Sequence, residues 1–414
     1  MMSHRTLLAL IITFLTSLIV ISQGPNTKVL FVIADGISSD VLEKIDTPHL
    51  DLIAGENGYA RAYVGGEKGG YSQSPTISAV GYNSLLTGTW ANKHNVWGNG
   101  IEDPNYNYWN IFRMVREYRP QLTTAIFSTW LDNRTKLVGE MLATNGNIKL
   151  DYHFDGFEND TIRFPHEDNS LHIHKIDEHV VDQAAKVIKE SAPDLSWVYL
   201  QYTDDMGHRY GDSEPFYMAV KTMDLQMGKL WEAIHYRTEN FNEKWQLWIT
   251  TDHGRNPKDG KGHGGQSDRE RSIWIVTNEK ELNDYYKEGQ VGLVDIVPTI
   301  LHTLDIQPNK EQLWEMDGVP LSTEISLANA KAMLNNKELV LTWDAYQLEG
   351  TLDIWITTTN NFASGGTDAY TLAATVAIDL GKATIDQSQW PSNFYKVVLS
   401  GEHNAINRWV MKNN

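Results

Sequence analysis

Five continuous apolar runs constrain this chain more than any other feature: 28–34 (KVLFVIA), 122–128 (LTTAIFS), 196–202 (SWVYLQY), 246–250 (QLWIT) and 272–277 (SIWIVT). A strand that is apolar on both faces must be covered on both faces, which is the condition of a parallel strand in an α/β sheet. Helical periodicity fills the intervals. Residues 178–191 carry apolar positions at helical spacing, and 215–236 do so with Met218, Val220, Met223, Met227, Leu230 and Ile234. Strands alternating with helices predict an α/β fold, a mostly parallel central sheet sandwiched by helices. Ligands in such sheets bind beyond the carboxyl ends of the strands. The polar residues at those ends are therefore the ones to weigh.

The pattern changes after about residue 335. The stretches 338–344, 351–358, 370–379 and 394–399 read as short strands, separated by turns rich in Gly, Asn, Asp and Ser. They predict a small C-terminal all-β sandwich, immunoglobulin- or fibronectin-like, over 336–414. The catalytic domain is then 26–325, with 322–336 as a linker or connecting helix, and a chain cut after about residue 325 should stay soluble and active. At the other end, residues 1–23 join a short basic start to an apolar run from Leu7 to Ile21. That is the pattern of a secretory signal peptide, which would place the protein outside the cell or in a periplasm. A membrane anchor is the alternative.

The chain has no cysteine. This excludes disulfides, thiolate metal ligands and a lipoprotein anchor, so any metal is held by His and carboxylates. A formal net charge of −18 repels phosphate polymers, and no nucleic-acid polymer is expected as a partner. A small anionic substrate would need local cations.

Asp35 ends the first run. Asp204 and His208 follow SWVYLQY in TDDMGHRYG, Asp252 and His253 follow QLWIT in TTDHGR, and His263 lies in GKGHGG. Each sits where a buried strand gives way to a Gly-containing loop. Three carboxylates and three imidazoles suit Zn²⁺, and less well Mn²⁺ or another divalent metal. They are too many for one tetrahedral ion and match two catalytic zincs with three protein ligands each. Singly, each residue has an ordinary reading: Asp35 as a turn cap, Asp252-His253-Gly254 as a turn, His263 as a solvated loop residue. His172 and His174 read as surface residues.

The joint order resembles the alkaline phosphatase superfamily, in its nucleotide pyrophosphatase/phosphodiesterase-like branch. The resemblance covers roughly 28–321 and rests on VIADG at 32–36, on SAVGYNSLLTGTWANKHNV at 78–96 with its LLTG box, on Asp204 to His208, on Asp252 to Gly254 and on His263. It implies a phosphoester hydrolase. One metal would be held by Asp35, Asp252 and His253 and would touch Ser78, the other by Asp204, His208 and His263. Ser78, ten residues before the Gly of the box, would be the nucleophile and carry a phosphoseryl intermediate. Asn99 would donate to a phosphoryl oxygen. Thr76 is the rival nucleophile.

The chain departs from the family pattern in two informative places. Val80, Gly81 and Tyr82 stand where the branch has Pro-Asn-His, and Trp130 stands near the Lys that monoesterases use to clamp phosphate, with Arg134 and Lys136 displaced nearby. Loss of the clamp predicts phosphodiesters or nucleotide pyrophosphates as small-molecule substrates, with Tyr82, Trp90, Trp97 and Trp130 as candidates for an aromatic wall. An alkaline phosphomonoesterase is the runner-up. A sulfatase lacks its C/S-x-P-x-R motif here. The reading from a different class is an inactive surface glycan-binding or scaffold protein, with glycan contact through the C-terminal sandwich.

Overall fold

The computed structural model describes residues 26–166 and 170–412. The signal-peptide reading of 1–23 lies outside the described residues. Among the described residues no helix is long and apolar enough to cross a membrane.

The central sheet has seven strands: β1 (Asn26–Ala34), β2 (Tyr59–Tyr63), β3 (Thr124–Ser128), β4 (Tyr152–Phe154), β5 (Leu195–Leu200), β6 (Glu243–Thr250) and β7 (Ser272–Thr277). Their spatial order is β2-β7-β6-β1-β5-β3-β4. All five apolar runs are strands, and the fold is the α/β arrangement their pattern predicts. The pleat explains why the runs are continuous. Val29, Phe31 and Ile33 enter one apolar cluster while Leu30, Val32 and Ala34 enter another on the opposite face. Helices α1 (Ser78–Thr87) and α5 (Ile296–Thr303) contribute to the first cluster. Helices α2 (Leu171–Ser191), α3 (Tyr202–Tyr210) and α4 (Glu214–Asn240) contribute to the second.

β1 pairs in parallel with β5 and β6, and β3 with β4 and β5. β7 is antiparallel to β6, and β2 to β7. The run 272–277 is as buried as the others, because coverage of both faces makes a strand apolar whichever way it points.

Seven more strands form two antiparallel sheets: β8 (Leu327–Asn335), β9 (Glu338–Ala345), β10 (Thr351–Thr357), β11 (Thr371–Ala377), β12 (Lys382–Asp386), β13 (Phe394–Ser400) and β14 (Ala405–Met411), ordered β11-β10-β13-β14 and β12-β9-β8. The stretch 322–336, expected as a linker or helix, is neither. Most of it is β8, whose LANAKAMLN sequence lacks β-branched residues and is drawn into the sheet by pairing with β9.

The sandwich also shares its core with the rest of the chain. One apolar cluster runs from Phe31 through Leu293, Val297 and Leu321 to Leu341, Ile354 and Val397. At the seam the fully buried Lys396 Nζ lies 2.6 Å from Glu315 Oε1 and 2.8 Å from Asp368 Oδ2.

Candidate metal centre and nucleophile

β6, β1 and β5 are neighbours at the middle of the sheet, and their carboxyl ends deliver most of the centre. Asp35 follows β1 directly, and Asp252 and His253 follow β6. Asp204 and His208 were expected on a loop, but they lie four residues apart on α3, which begins two residues after β5. Four residues is close to one helical turn and puts both side chains on one face. His263 comes from the loop beyond β6, where its Nδ1 lies 2.8 Å from the Thr76 carbonyl oxygen.

All six side chains meet. His253 Nε2 is 3.3 Å from Asp35 Oδ1 and 3.3 Å from Asp252 Oδ2. His208 Nε2 is 3.2 Å from Asp204 Oδ2 and 3.0 Å from His263 Nε2, and the rings of His253 and His263 stack with centroids 3.7 Å apart. Two groups have the compactness of metal sites, Asp35–Asp252–His253 and Asp204–His253–His263.

Three buried carboxylates this close are costly without a counter-charge. Burial and the charges of Asp252 and Asp204 push Asp35 well above the usual carboxylate range. Burial, with the charge of Asp204, pushes Asp252 up to about 7. Burial would raise Asp204 too, but the His208 hydrogen bond and the charges of His253 and Arg255 hold it well below its ordinary value. Burial holds His253 far below the ordinary imidazole value, so it is neutral, the form that ligates metal. Asp35 Oδ1 and Asp252 Oδ2 are buried without a hydrogen-bond partner. Unpartnered carboxyl oxygens beside imidazole nitrogens fit divalent cations, whose charge would favour the ionised carboxylates.

Ser78 is the first residue of α1, with extended Ile77 before it. Its Oγ lies 3.3 Å from His253 Nε2. Asn99 is brought to the same place, its Oδ1 accepting from the backbone N–H of Ala79 at 3.0 Å. Thr76 is differently employed. Its hydroxyl donates to the Gly265 carbonyl at 2.9 Å and accepts from the Gly264 N–H at 3.0 Å, pinning the His263 loop. His94, after the LLTG box, is fully buried and bonds Ser84 Oγ at 3.0 Å, bracing α1.

Three contributors were not anticipated. Tyr82, expected in an aromatic wall, is fully buried and donates to Asp35 Oδ2, as does Tyr199 at 2.8 Å. Arg255, in the DHGR loop, is fully buried, with Nη1 2.6 Å from Asp204 Oδ1 and Nη2 donating to the Lys261 carbonyl at 3.0 Å. Glycines clear its path. A Cβ on Gly207 would lie 2.3 Å from Arg255 Cζ, and one on Gly36, where φ is +72°, would lie 2.7 Å from Nη1 and 2.5 Å from Asp204 Oδ1. Arg255 thus fixes the Asp204 carboxylate from behind. Partners of this kind typically change metal affinity by about 10- to 100-fold. If the centre holds a metal, Arg255→Met should therefore weaken its retention by about that factor in a chelator competition, with the fold intact by circular dichroism. Unchanged retention would show that Asp204 is held without it.

Other expectations need correction. Trp90 is buried against Tyr63, so with Tyr82 it leaves the proposed wall. Trp97 is about half exposed, and Trp130 packs edge-on against Tyr82. Arg134 and Lys136 do not turn toward the centre. Arg134 is held by Asp155 and Glu140, and Lys136 pairs with Asp132 at 2.8 Å. His172 and His174 are half-buried on α2 rather than on the surface, His172 stacking on His166.

The family model described as type I phosphodiesterase / nucleotide pyrophosphatase matches residues 29–282, more than half of the chain and every residue of the centre from Asp35 to His263. The chain belongs to that family. Among curated members, the human ectonucleotide pyrophosphatase/phosphodiesterase family member 7 is 25% identical over 289 residues, 67% of this chain and 56% of that protein. The rat protein of the same name is 25% identical over 248 residues, 56% and 51% of the two chains. This type I phosphodiesterase family member therefore spans about half the length of the curated relatives it matches. Among solved structures, a putative sulfatase from Bacteroides thetaiotaomicron superposes with a TM-score of 0.50 at 10% identity, covering 89% of this chain and 86% of that one. This is a likeness of fold alone.

Proposed function

We propose that the chain is a two-zinc phosphodiesterase, acting on phosphodiesters or nucleotide pyrophosphates through a covalent adduct on Ser78. The observation that carries this reading is the buried, unpartnered pair Asp35 Oδ1 and Asp252 Oδ2 around His253, within hydrogen-bonding reach of a serine at a helix N-terminus. Asp35, Asp252 and His253 would hold one cation beside Ser78, and Asp204, His208 and His263 the other. Bound divalent cations supply Lewis acidity and make a serine hydroxyl a competent nucleophile at neutral pH.

The chain's own residues do the rest. Ser78 Oγ would lose its proton to solvent and attack phosphorus, the P–O bond to the leaving alkoxide or phosphate would break, and water would later cleave the Oγ–P bond, returning the proton to Ser78. The N-terminal end of α1 favours the developing negative charge. Asn99, whose Oδ1 is occupied by Ala79, has its amide N–H groups left to donate to a phosphoryl oxygen. Chelation should abolish turnover and Zn²⁺ restore it. Elemental analysis of the purified protein should find about two equivalents, and His208→Ala or His263→Ala about one fewer. Full activity after exhaustive chelation, with no metal found, removes the metal from the account.

A monoester brings one more negative charge than a diester. Arg134, Lys136 and Arg255 are each ion-paired, to Asp155, Asp132 and Asp204. A charge-assisted hydrogen bond is worth on the order of 1.5–3 kcal/mol, about 10- to 100-fold in rate for each one missing. The ratio of kcat/KM for bis-p-nitrophenyl phosphate to that for p-nitrophenyl phosphate should therefore exceed one, and fall in Trp130→Lys. A monoester preference in the wild type would favour the phosphomonoesterase reading and leave the mechanism standing.

A further inference from the structure

Between the β2–β7 edge of the central sheet and the C-terminal sandwich lies a cavity of about 850 Å³, and no residue of the metal centre lines it. That volume is within the range of small-molecule sites, which favour seams between structural units. Two half-buried guanidinium groups reach it from opposite sides, Arg271 just before β7 and Arg408 in β14.

Neither has a carboxylate within ion-pair distance among the described residues. Arg271 donates to the carbonyls of Gly65 at 3.0 Å and Gly66 at 2.7 Å and to Gln266 Oε1 at 2.8 Å. Arg408 donates through Nε to the Ala330 carbonyl at 2.6 Å and through Nη1 to the Asn407 carbonyl at 2.7 Å. These acceptors hold the planes in place, and neither guanidinium is closed off by a direct ion pair. A guanidinium has five N–H donors, so each retains free ones.

The chain has 53 acidic and 35 basic residues, and most of its described arginines are ion-paired. Arg61, Arg116, Arg134, Arg237, Arg255 and Arg269 all meet carboxylates. The carboxylate deepest in the cavity, Asp317, is already paired with Lys93 at 2.7 Å. The remaining acids of the lining, Glu67, Glu288 and Asp344, are exposed at the rim, as are Lys68 and Lys331. The rim is mixed in sign and the interior is cationic. Tyr63, whose ring lies 5.8 Å from the Arg271 guanidinium, and Tyr71, stacked on Trp409, add amphipathic faces.

We propose that this cavity is a second ligand site, taking a small molecule that carries an oxyanion group (carboxylate, sulfate or phosphate) recognised by Arg271 and Arg408. Planar guanidinium forks suit such groups, and the volume accommodates a body of several sugar rings behind them.

The test uses the full chain with three probes: sodium sulfate, a trimer of galacturonic acid and the neutral galactose trimer. Sulfate and the acidic trimer should bind by calorimetry equally in wild type and Ser78→Ala, and the neutral trimer should not. Arg408→Gln and Arg271→Gln should each weaken binding by at least about tenfold, the cost of a lost charge-assisted contact. Should a variant fail to fold, phenylglyoxal labelling of the wild type replaces it. The acidic trimer should slow modification at Arg271 and Arg408 and leave surface arginines unaffected. A uronate response without a sulfate response assigns the site to carboxylates, and the reverse assigns it to sulfate or phosphate esters. Absence of binding by both anions, affinity unchanged in both variants, no protection at either arginine, or equal binding of the neutral trimer overturns the proposal.

Discussion

Ser78→Ala should lower phosphodiester turnover by at least about a thousandfold while leaving fold and metal content unchanged. If Ser78 is the nucleophile as proposed, its removal from a preassembled site should cost at least about 10³ in kcat, with the residue of rate coming from the remaining electrostatics. The side chain is small, buried and at the start of α1, and its Oγ faces His253 rather than a structural partner. Its loss therefore leaves no buried group stranded. Thr76 provides the contrast. Its hydroxyl ties the Gly264–Gly265 backbone, so Thr76→Ala should loosen His263 and cost activity through metal retention, and Thr76→Ser should recover it. Near-full rate in Ser78→Ala, with Thr76→Ser inactive, would transfer the nucleophile's role to Thr76.

The second large effect lies far from the centre. Lys396→Met should destabilise the protein by about 3–5 kcal/mol, the usual result of removing one partner of a buried ion pair. Lys396 is fully buried, and its loss strands Glu315 and Asp368 together. Glu315→Gln in the same chain should recover part of the loss. A cut after about residue 325 removes Lys396 and also strips the apolar partners of Leu321 and Ile325. The seam thus argues against a separable catalytic domain, and the fragment should be insoluble. Denaturant unfolding of the point variants and solubility of the fragment check both statements. A soluble, active fragment would mean that the two parts meet only through dispensable surface.

Much of this was legible in the sequence because the physics was local. A strand buried on both faces must be apolar throughout, and the polar residues where it stops are few and conspicuous. Asp35, Asp252 and His253 were found that way. What escaped depends on pairs distant in sequence. Arg255 reads as one more charge in a Gly-rich loop, and only the fold brings it to Asp204, through space left by Gly36 and Gly207. Tyr82 reads as an aromatic on an apolar helix, and its hydroxyl finds Asp35 only once α1 lies over β1. β8 escaped because its Ala- and Asn-rich sequence has little preference of its own, and β7 disclosed its burial but not its direction. Lys396 sits in an unbroken β-pattern, where nothing marks it as the buried cation of a seam.

We propose above that this centre hydrolyses phosphodiesters. The most direct measurement is release of p-nitrophenol from bis-p-nitrophenyl phosphate by the full chain, purified and supplied with Zn²⁺. Saturable, chelator-sensitive release well above buffer is expected. Its absence from protein shown to be folded and to hold two equivalents of zinc would rule out a phosphodiesterase at this centre.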